Sequence, residues 1–299
     1  MRKIISDSVN AKENNMKLES FLKNRLHLTK NEISRAKFLE NGICINGKRS
    51  RVNTLLKTGD LVEVLLETED SISENLAVSE KELSILYEDE DVIVIDKPAG
   101  VSVHPAGGKE TDTLANRLAF YLCDKKEDSV IRIFGRLDKD TSGAVLAVKN
   151  RAAATRLERQ RENGTLHKIY LAITERVPDP PAGAVRLPIG IDPENRRRMR
   201  IAADGKTAVT HYETLAANEG FAVVRLSLET GRTHQIRVHM AAIGCPLLGD
   251  PVYGDGAVSG MRRMALHARS IYFLQPFTGE ELLVEAPVPE ALLPYTDCV

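Results

Sequence analysis

The stretch Gly135-Arg136-Leu137-Asp138-Lys139-Asp140-Thr141-Ser142-Gly143 lies between two short apolar runs, Val130-Ile131-Arg132-Ile133-Phe134 and Ala144-Val145-Leu146-Ala147-Val148. Each run has the length and β-branched content of a strand, and the charged, Gly-bounded insert has the chemistry of a loop. Asp138 is thereby carried on a short connection anchored at both ends in a sheet. Arg136 stands two residues away, and a neighbouring cation favours the ionised form of a carboxylate. An ionised, rigidly held carboxylate can act as a nucleophile. The plainer alternative is that Asp138 or Asp140 closes a turn with its side chain, as Asp often does.

Outward from this loop, helices and strands intermix. On the N-terminal side, Val92-Ile93-Val94-Ile95 is a continuous apolar strand ending in the turn Asp96-Lys97-Pro98-Ala99-Gly100, and Thr113-Leu114 opens a helix. On the C-terminal side, Asn150 can cap a helix from Arg151 to about Glu162, with Asn163-Gly164 as its stop. Its arginines, Arg151, Arg156, Arg159 and Arg161, are expected on the exposed face. Lys168 to Ile173 reads as a strand, and Phe221 to Glu229 alternates apolar and polar residues as a half-buried strand does. After Gly231-Arg232, a helix carries Ile236, Met240 and Ile243 at helical spacing and stops at Gly244. The densest positive charge, Asn195-Arg196-Arg197-Arg198-Met199-Arg200, repels itself unless an anion relieves it, which points to a polyanion contact.

The N-terminal part has its own organisation. Residues 1–15 read as a polar tail. From Met16 to Leu66, Leu18, Phe21, Leu22 and Leu26 recur at helical spacing. Thr29 and Glu32 form a capping box for a second helix, and Asn46-Gly47 makes a tight turn between short strands. Ten basic residues against five acidic ones give Met16 to Leu66 a positive surplus. Arg35 and Lys37 lie on the second helix, with Lys48 and Arg49 just past the turn, a pattern suited to phosphate. Residues 67–84 are acidic and Ser-rich, the composition of a linker. The larger domain then runs over 85–299.

Composition narrows the classes. A chain of 299 residues has room for two domains, and 42% hydrophobic with 28% charged residues is ordinary for a globular protein. The net charge of −1 assigns any nucleic-acid binding to local patches. No signal peptide or membrane-spanning run is seen, so a cytoplasmic location and no membrane partner are expected. Cys44, Cys123, Cys245 and Cys298 form no CxxC pair, which argues against a zinc site or a disulfide framework. His234 and His239 are five apart, off the spacing that aligns two metal ligands on one helical face, so no metal is expected.

The loop Gly135 to Gly143 resembles the HRLDxxTSG motif of the RluA/RluD-type pseudouridine synthases, with Gly135 in place of the family's His. Residues 87–108 resemble the opening of that family's catalytic domain. Lys168-Ile169-Tyr170-Leu171-Ala172 resembles its KxYxA motif, and Leu228 to Met240 its third motif. Met16 to Leu66 resembles the S4 RNA-binding domain. The resemblance implies an α+β fold, with a large, mainly antiparallel mixed sheet bearing a central cleft and a small α+β S4-like domain before it. It implies isomerisation of uridine to pseudouridine in RNA, ribosomal rather than transfer RNA, by a monomer without cofactor. Asp138 would be the nucleophile, Tyr170 would lie against the base, and Arg232 would pair with Asp138, Arg237 being the competing candidate. RNA contacts would come from Arg136, Arg237, Arg196, Arg197, Arg198, Arg35, Lys37, Lys48 and Arg49. Two rival readings stand beside this one. A glycoside hydrolase needs two carboxylates opposed at about 5 to 9.5 Å, and a non-catalytic RNA-binding or ribosome-assembly factor would need only the basic domain.

Overall fold

A computed structural model describes residues 2–67, 77–105, 110–125, 132–196, 198–218, 220–254, 261 and 263–296. The backbone divides into two compact units, Met1–Ser71 and Ile72–Val299.

In the first unit, β1 (Arg2–Ser8), α1 (Leu18–Asn24), α2 (Lys30–Phe38), β2 (Ile43–Ile45), β3 (Lys48–Arg49) and β4 (Leu61–Glu67) follow one another. The strands form an antiparallel sheet in the order β1-β4-β2-β3. Its core joins Leu18, Phe21 and Leu22 of α1 to Ile33 of α2 and Val62 and Val64 of β4, all buried. Thr29 and Glu32 make the capping box in both directions, at 3.1 and 2.7 Å. Asn46 and Gly47 turn the chain with φ of 49° and 74°, the left-handed pair that a two-residue hairpin requires. One expectation fails here. The polar N-terminus is not a tail, because Arg2 to Ser8 pairs along the whole of β4. Backbone hydrogen bonding to an open strand edge holds a segment whose composition gave little sign of it. Of the acidic stretch 67–84, residues 68–76 lie outside the described residues, and Ser84 already belongs to a strand of the second unit.

That unit contains β5 (Ser84–Glu88), β6 (Val92–Lys97), α3 (Leu114–Asp124), β7 (Arg132–Phe134), β8 (Ser142–Val148), α4 (Arg151–Glu162) and β9 (His167–Thr174). These are followed by β10 (Ala182–Val185), β11 (Ile189–Ile191), β12 (Met199–Ile201), β13 (Thr210–Ala217), β14 (Ala222–Leu228), α5 (Gln235–Ala242), β15 (Leu266–Leu274), β16 (Glu281–Glu285) and α6 (Leu293–Thr296). Ten strands form one mixed sheet, β10-β13-β14-β9-β15-β8-β6-β5, with β16 on β15 and β7 on β8. Among the described residues, β8–β15 is the one parallel pair. β11 and β12 form a separate hairpin.

Both faces of the sheet centre are covered. Ile93, Ile95, Val145 and Ala147 pack with Leu114 and Leu118 of α3 and Ile236 and Met240 of α5. Val92, Val94, Leu146 and Val148 pack with Ala153 and Leu157 of α4 on the other face. Strands buried on both faces read as continuous apolar runs, which is why β6 and β8 show no alternation. Thr113 caps α3 through Asn116, and Asn150 caps α4 through Ala153 N–H at 2.8 Å. Arg156 departs from the exposed face expected of α4. It is buried, donates to Ala152 O and lies 4.5 Å from the Phe277 ring centroid, because its turn of the helix meets the chain after β15.

Candidate active site

The Gly135 to Thr141 connection between β7 and β8 is fastened at several points. Thr141 N–H donates to Asp138 O at 3.1 Å, and Gly100 N–H donates to Lys139 O at 2.9 Å. Lys97, fully buried at the end of β6, directs its ammonium at three carbonyls, those of Pro98, Val101 and Lys139, at 2.7 to 2.9 Å. Burial pulls its pKa down to about 8, against the opposing charges of Asp140 and Asp138. Gly143 closes the loop with φ of 106°, and a Cβ there would stand 2.2 Å from Ala268 O of β15. Only glycine allows the parallel strand to approach that closely. Gly135 also has positive φ, 74°, so the His of the family motif would be strained on this backbone.

Asp138, only 18% exposed, is met by Arg237 of α5, whose Nη1 donates to its Oδ2 at 3.2 Å. The same guanidinium is held from behind by Asp250, with Nε to Oδ2 at 2.7 Å and Nη2 to Oδ1 at 2.8 Å. Asp250 in turn accepts from the backbone N–H groups of Val252 and Tyr253. A bidentate pair on one side and a single bond on the other orient a planar fork that Lys could not reproduce. Burial alone would lower the Arg237 pKa, but the hydrogen bonds and charges of Asp250 and Asp138 raise it. The guanidinium is thereby locked in its charged form beside Asp138.

Tyr170, on β9 between Leu226 of β14 and Ala268 of β15, is buried on the same face as α5. Burial raises the pKa of its phenol, and the charge of Asp138 raises it further. Its hydroxyl has no hydrogen-bond partner among the described residues. Lys168 lies two residues earlier, its Nζ 3.5 Å from Ala144 O, and burial pulls it down to about 8. An imidazole also faces the loop, that of His234, with Nε2 3.9 Å from Asp138 Oδ2. A carboxylate, a guanidinium and a tyrosine thus converge from three separate elements. Such a site can supply charge at a reacting carbon and a flat aromatic surface for a base.

The sequence model of a family described as RNA pseudouridylate synthase matches residues 91–242. This chain belongs to that family. A relative described as an uncharacterized RNA pseudouridine synthase, YhcT of Bacillus subtilis (strain 168), is 38% identical over 283 residues, 94% of this chain and 92% of the relative. The ribosomal large subunit pseudouridine synthase D of Pseudomonas aeruginosa is 38% identical over 83% of this chain and 82% of its own length. Among solved structures, human RNA Pseudouridylate Synthase Domain Containing 1 is similar, with a TM-score of 0.58 and 31% identity. That likeness covers 74% of this chain and 88% of the human one. The synthase is of the RluA/RluD type, an isomerase with RNA as its substrate.

Two of the arginines expected at the carboxylate of this synthase are elsewhere. Arg232 precedes α5, is exposed, and bonds Thr207 O through its Nε at 3.0 Å. Gln235 takes the Arg232 N–H at 2.9 Å and so fixes that turn at the edge of β13. The ion pair with Asp138 belongs to Arg237, two residues inside the helix. Arg136 is likewise exposed and forms no ion pair with Asp138. Arg196 and Arg198 are exposed on the β11–β12 hairpin, where Arg198 lies 5.5 Å from the Tyr253 ring centroid, while Arg197 falls outside the described residues. In the first unit Arg35, Lys37, Lys48 and Arg49 are all exposed. Arg49 donates to Lys37 O at 2.8 Å, tying the hairpin to the end of α2 beside Phe38, which is 86% exposed. Reading the sequence missed the roles of Asp250, Lys97 and Tyr253 in holding the site.

Proposed function

We propose that this synthase converts one or a few uridines of large-subunit (23S) ribosomal RNA to pseudouridine, with Asp138 as the reacting carboxylate. The observation that supports it best is the chain Asp250–Arg237–Asp138 ending beside Tyr170. In the reaction the C1′–N1 bond breaks and a C1′–C5 bond forms, while the hydrogen on C5 is replaced by one on N1. Nothing is oxidised or hydrolysed, so no cofactor is called for. Asp138 supplies the nucleophile, Arg237 aims it, and Tyr170 holds the uracil while it turns. A base stacked within RNA must swing out to reach a recessed carboxylate, which costs roughly a few kcal/mol. Exposed cations offset that by binding phosphates.

We assign this task to Arg136, Arg196, Arg197 and Arg198 in the second unit, and to Arg35, Lys37, Lys48 and Arg49 in an S4-like first unit. Ribosomal RNA is favoured over transfer RNA by the relatives named for the large subunit. The working form is a monomer in the cytoplasm.

Nucleoside analysis of transcribed rRNA fragments after incubation with the protein tests the reaction. Pseudouridine without free uracil is expected, whereas released uracil would make the protein a hydrolase. Pseudouridine maps of total RNA with and without the gene test the substrate. Loss at one or a few large-subunit uridines is expected, and a change confined to transfer RNA would overturn that assignment.

A further inference from the structure

His234 enters the site from the start of α5, in the left-handed region with φ of 55°. Its ring stands edge-on to Tyr253, with centroids 5.7 Å apart. Nδ1 is 3.0 Å from the Tyr253 hydroxyl, which also accepts Met199 N–H at 2.8 Å. A phenol has one proton to give. Met199 already donates to the oxygen, and directing the phenol proton at His234 Nδ1 pairs all three groups, with the imidazole hydrogen on Nε2. The other tautomer would aim a lone pair at the Asp138 carboxylate and leave the phenol proton with no acceptor among the described residues. Burial lowers the pKa of His234, against the pull of Asp138, which favours the neutral ring.

In that tautomer an Nε2–H stands 3.9 Å from Asp138 Oδ2. That gap is too long for a hydrogen bond, yet one oxygen can span it. Whatever spans it must donate to the carboxylate and accept from the N–H. A hydroxyl does both, while a uracil carbonyl only accepts. The bond broken in the isomerisation is at C1′, whose neighbour C2′ bears the ribose hydroxyl.

We propose that His234 and Asp138 together hold the 2′-hydroxyl of the target nucleotide, His234 donating to it and Asp138 accepting from it. His234 is then a substrate-contacting residue that distinguishes ribose from deoxyribose, and Tyr253 is the positioning residue that sets its tautomer. The proposal rests on Asp138 being the reacting carboxylate.

The test uses the full chain and an RNA stem-loop containing the uridine found by mapping, made with either uridine or 2′-deoxyuridine at that position. Binding of each is measured by fluorescence anisotropy. For the unaltered protein, the deoxy substitution should weaken binding about fivefold, the order of one lost hydrogen bond. His234→Ala should weaken binding of the ribose form by a similar factor and leave the deoxy form unchanged. His234→Gln, which retains a donor, should recover part of the loss. Tyr253→Phe, the milder change should His234→Ala not fold, should show the same ribose-specific loss at smaller size. Equal weakening of both RNAs would mean a structural histidine and would overturn the proposal. So would a His234 effect that vanishes with 3-methyluridine and persists with deoxyuridine, since the contact would then be to the base edge. Failure of the Asp138 reading would register separately, as pseudouridine formed by Asp138→Asn.

Discussion

Arg237 and the arginines of the β11–β12 hairpin carry the same guanidinium, and the fold uses them in opposite ways. Arg237 is 8% exposed and all its described bonds run to two carboxylates, at 2.7 to 3.2 Å. Arg196, Arg198 and Arg200 are exposed on a two-stranded hairpin, with Arg198 resting over the Tyr253 ring. A buried cation must be paired where it sits and therefore has one geometry. An exposed cation is already solvated and can follow a flexible polyanion. The first arrangement suits a group that holds the reacting atoms, and the second suits a group that gathers substrate.

Removing Arg237 tests the buried side of this contrast most severely. Arg237→Ala strands Asp250, whose side chain is fully buried. Stability should fall by about 3 to 5 kcal/mol, read from urea unfolding, and single-turnover pseudouridine formation should drop at least about 100-fold. Arg237→Lys should restore part of the stability and little of the rate, because an ammonium cannot bridge both carboxylates. A variant with full activity would break the contrast.

The same rule applies away from the site, at Glu88. Burial pushes its pKa up, but hydrogen bonds from Lys149, Lys125 and Tyr121 outweigh this and bring it to about 2. A carboxylate depressed from 4.5 on folding adds stability above about pH 4.5, and that stability is lost as pH falls toward 2. Glu88→Gln should lower stability at pH 7 by about 2 kcal/mol and flatten the acid limb of a stability–pH curve. An unchanged acid limb would show that the network is too solvated to matter.

On the exposed side, replacing Arg196, Arg198 and Arg200 together by Ala should weaken RNA binding about tenfold at moderate salt. The slope of log affinity against log salt should become shallower by about 2, with kcat at saturating RNA unchanged. A kcat loss as large as the binding loss would place the hairpin among the groups that set the chemistry. Arg232→Ala, outside both groups, should change kcat/KM by less than about twofold.

Much of this arrangement could be read in the residues beforehand. The loop around Asp138 stands out because two apolar strands bracket a charged insert. Thr29, Asn150 and Asn46-Gly47 announce their caps and turn because those side chains and that backbone geometry are locally determined. The pairing of Asp138 was harder to see, since it depends on which helical turn comes to rest over the loop. Arg232 and Arg237 are five residues apart, and spacing alone did not separate them. The burial of α5 does, as Gln235 to Met240 are all buried, so a cation inside that run needs an internal partner. Strand β1 was missed for a related reason. Alternating burial against one edge of a sheet leaves a polar-looking segment, and its partner is more than fifty residues away.

On the function proposed above, the Asp138 carboxylate is the nucleophile of the isomerisation. Tritium release from RNA labelled at C5 of uridine, measured in a single turnover with Asp138→Asn, tests it directly when RNA affinity and unfolding are recorded on the same protein. RNA binding within a few fold of the unaltered chain, an intact fold and no release above background are expected. Release at an appreciable rate by that variant would contradict that role for Asp138.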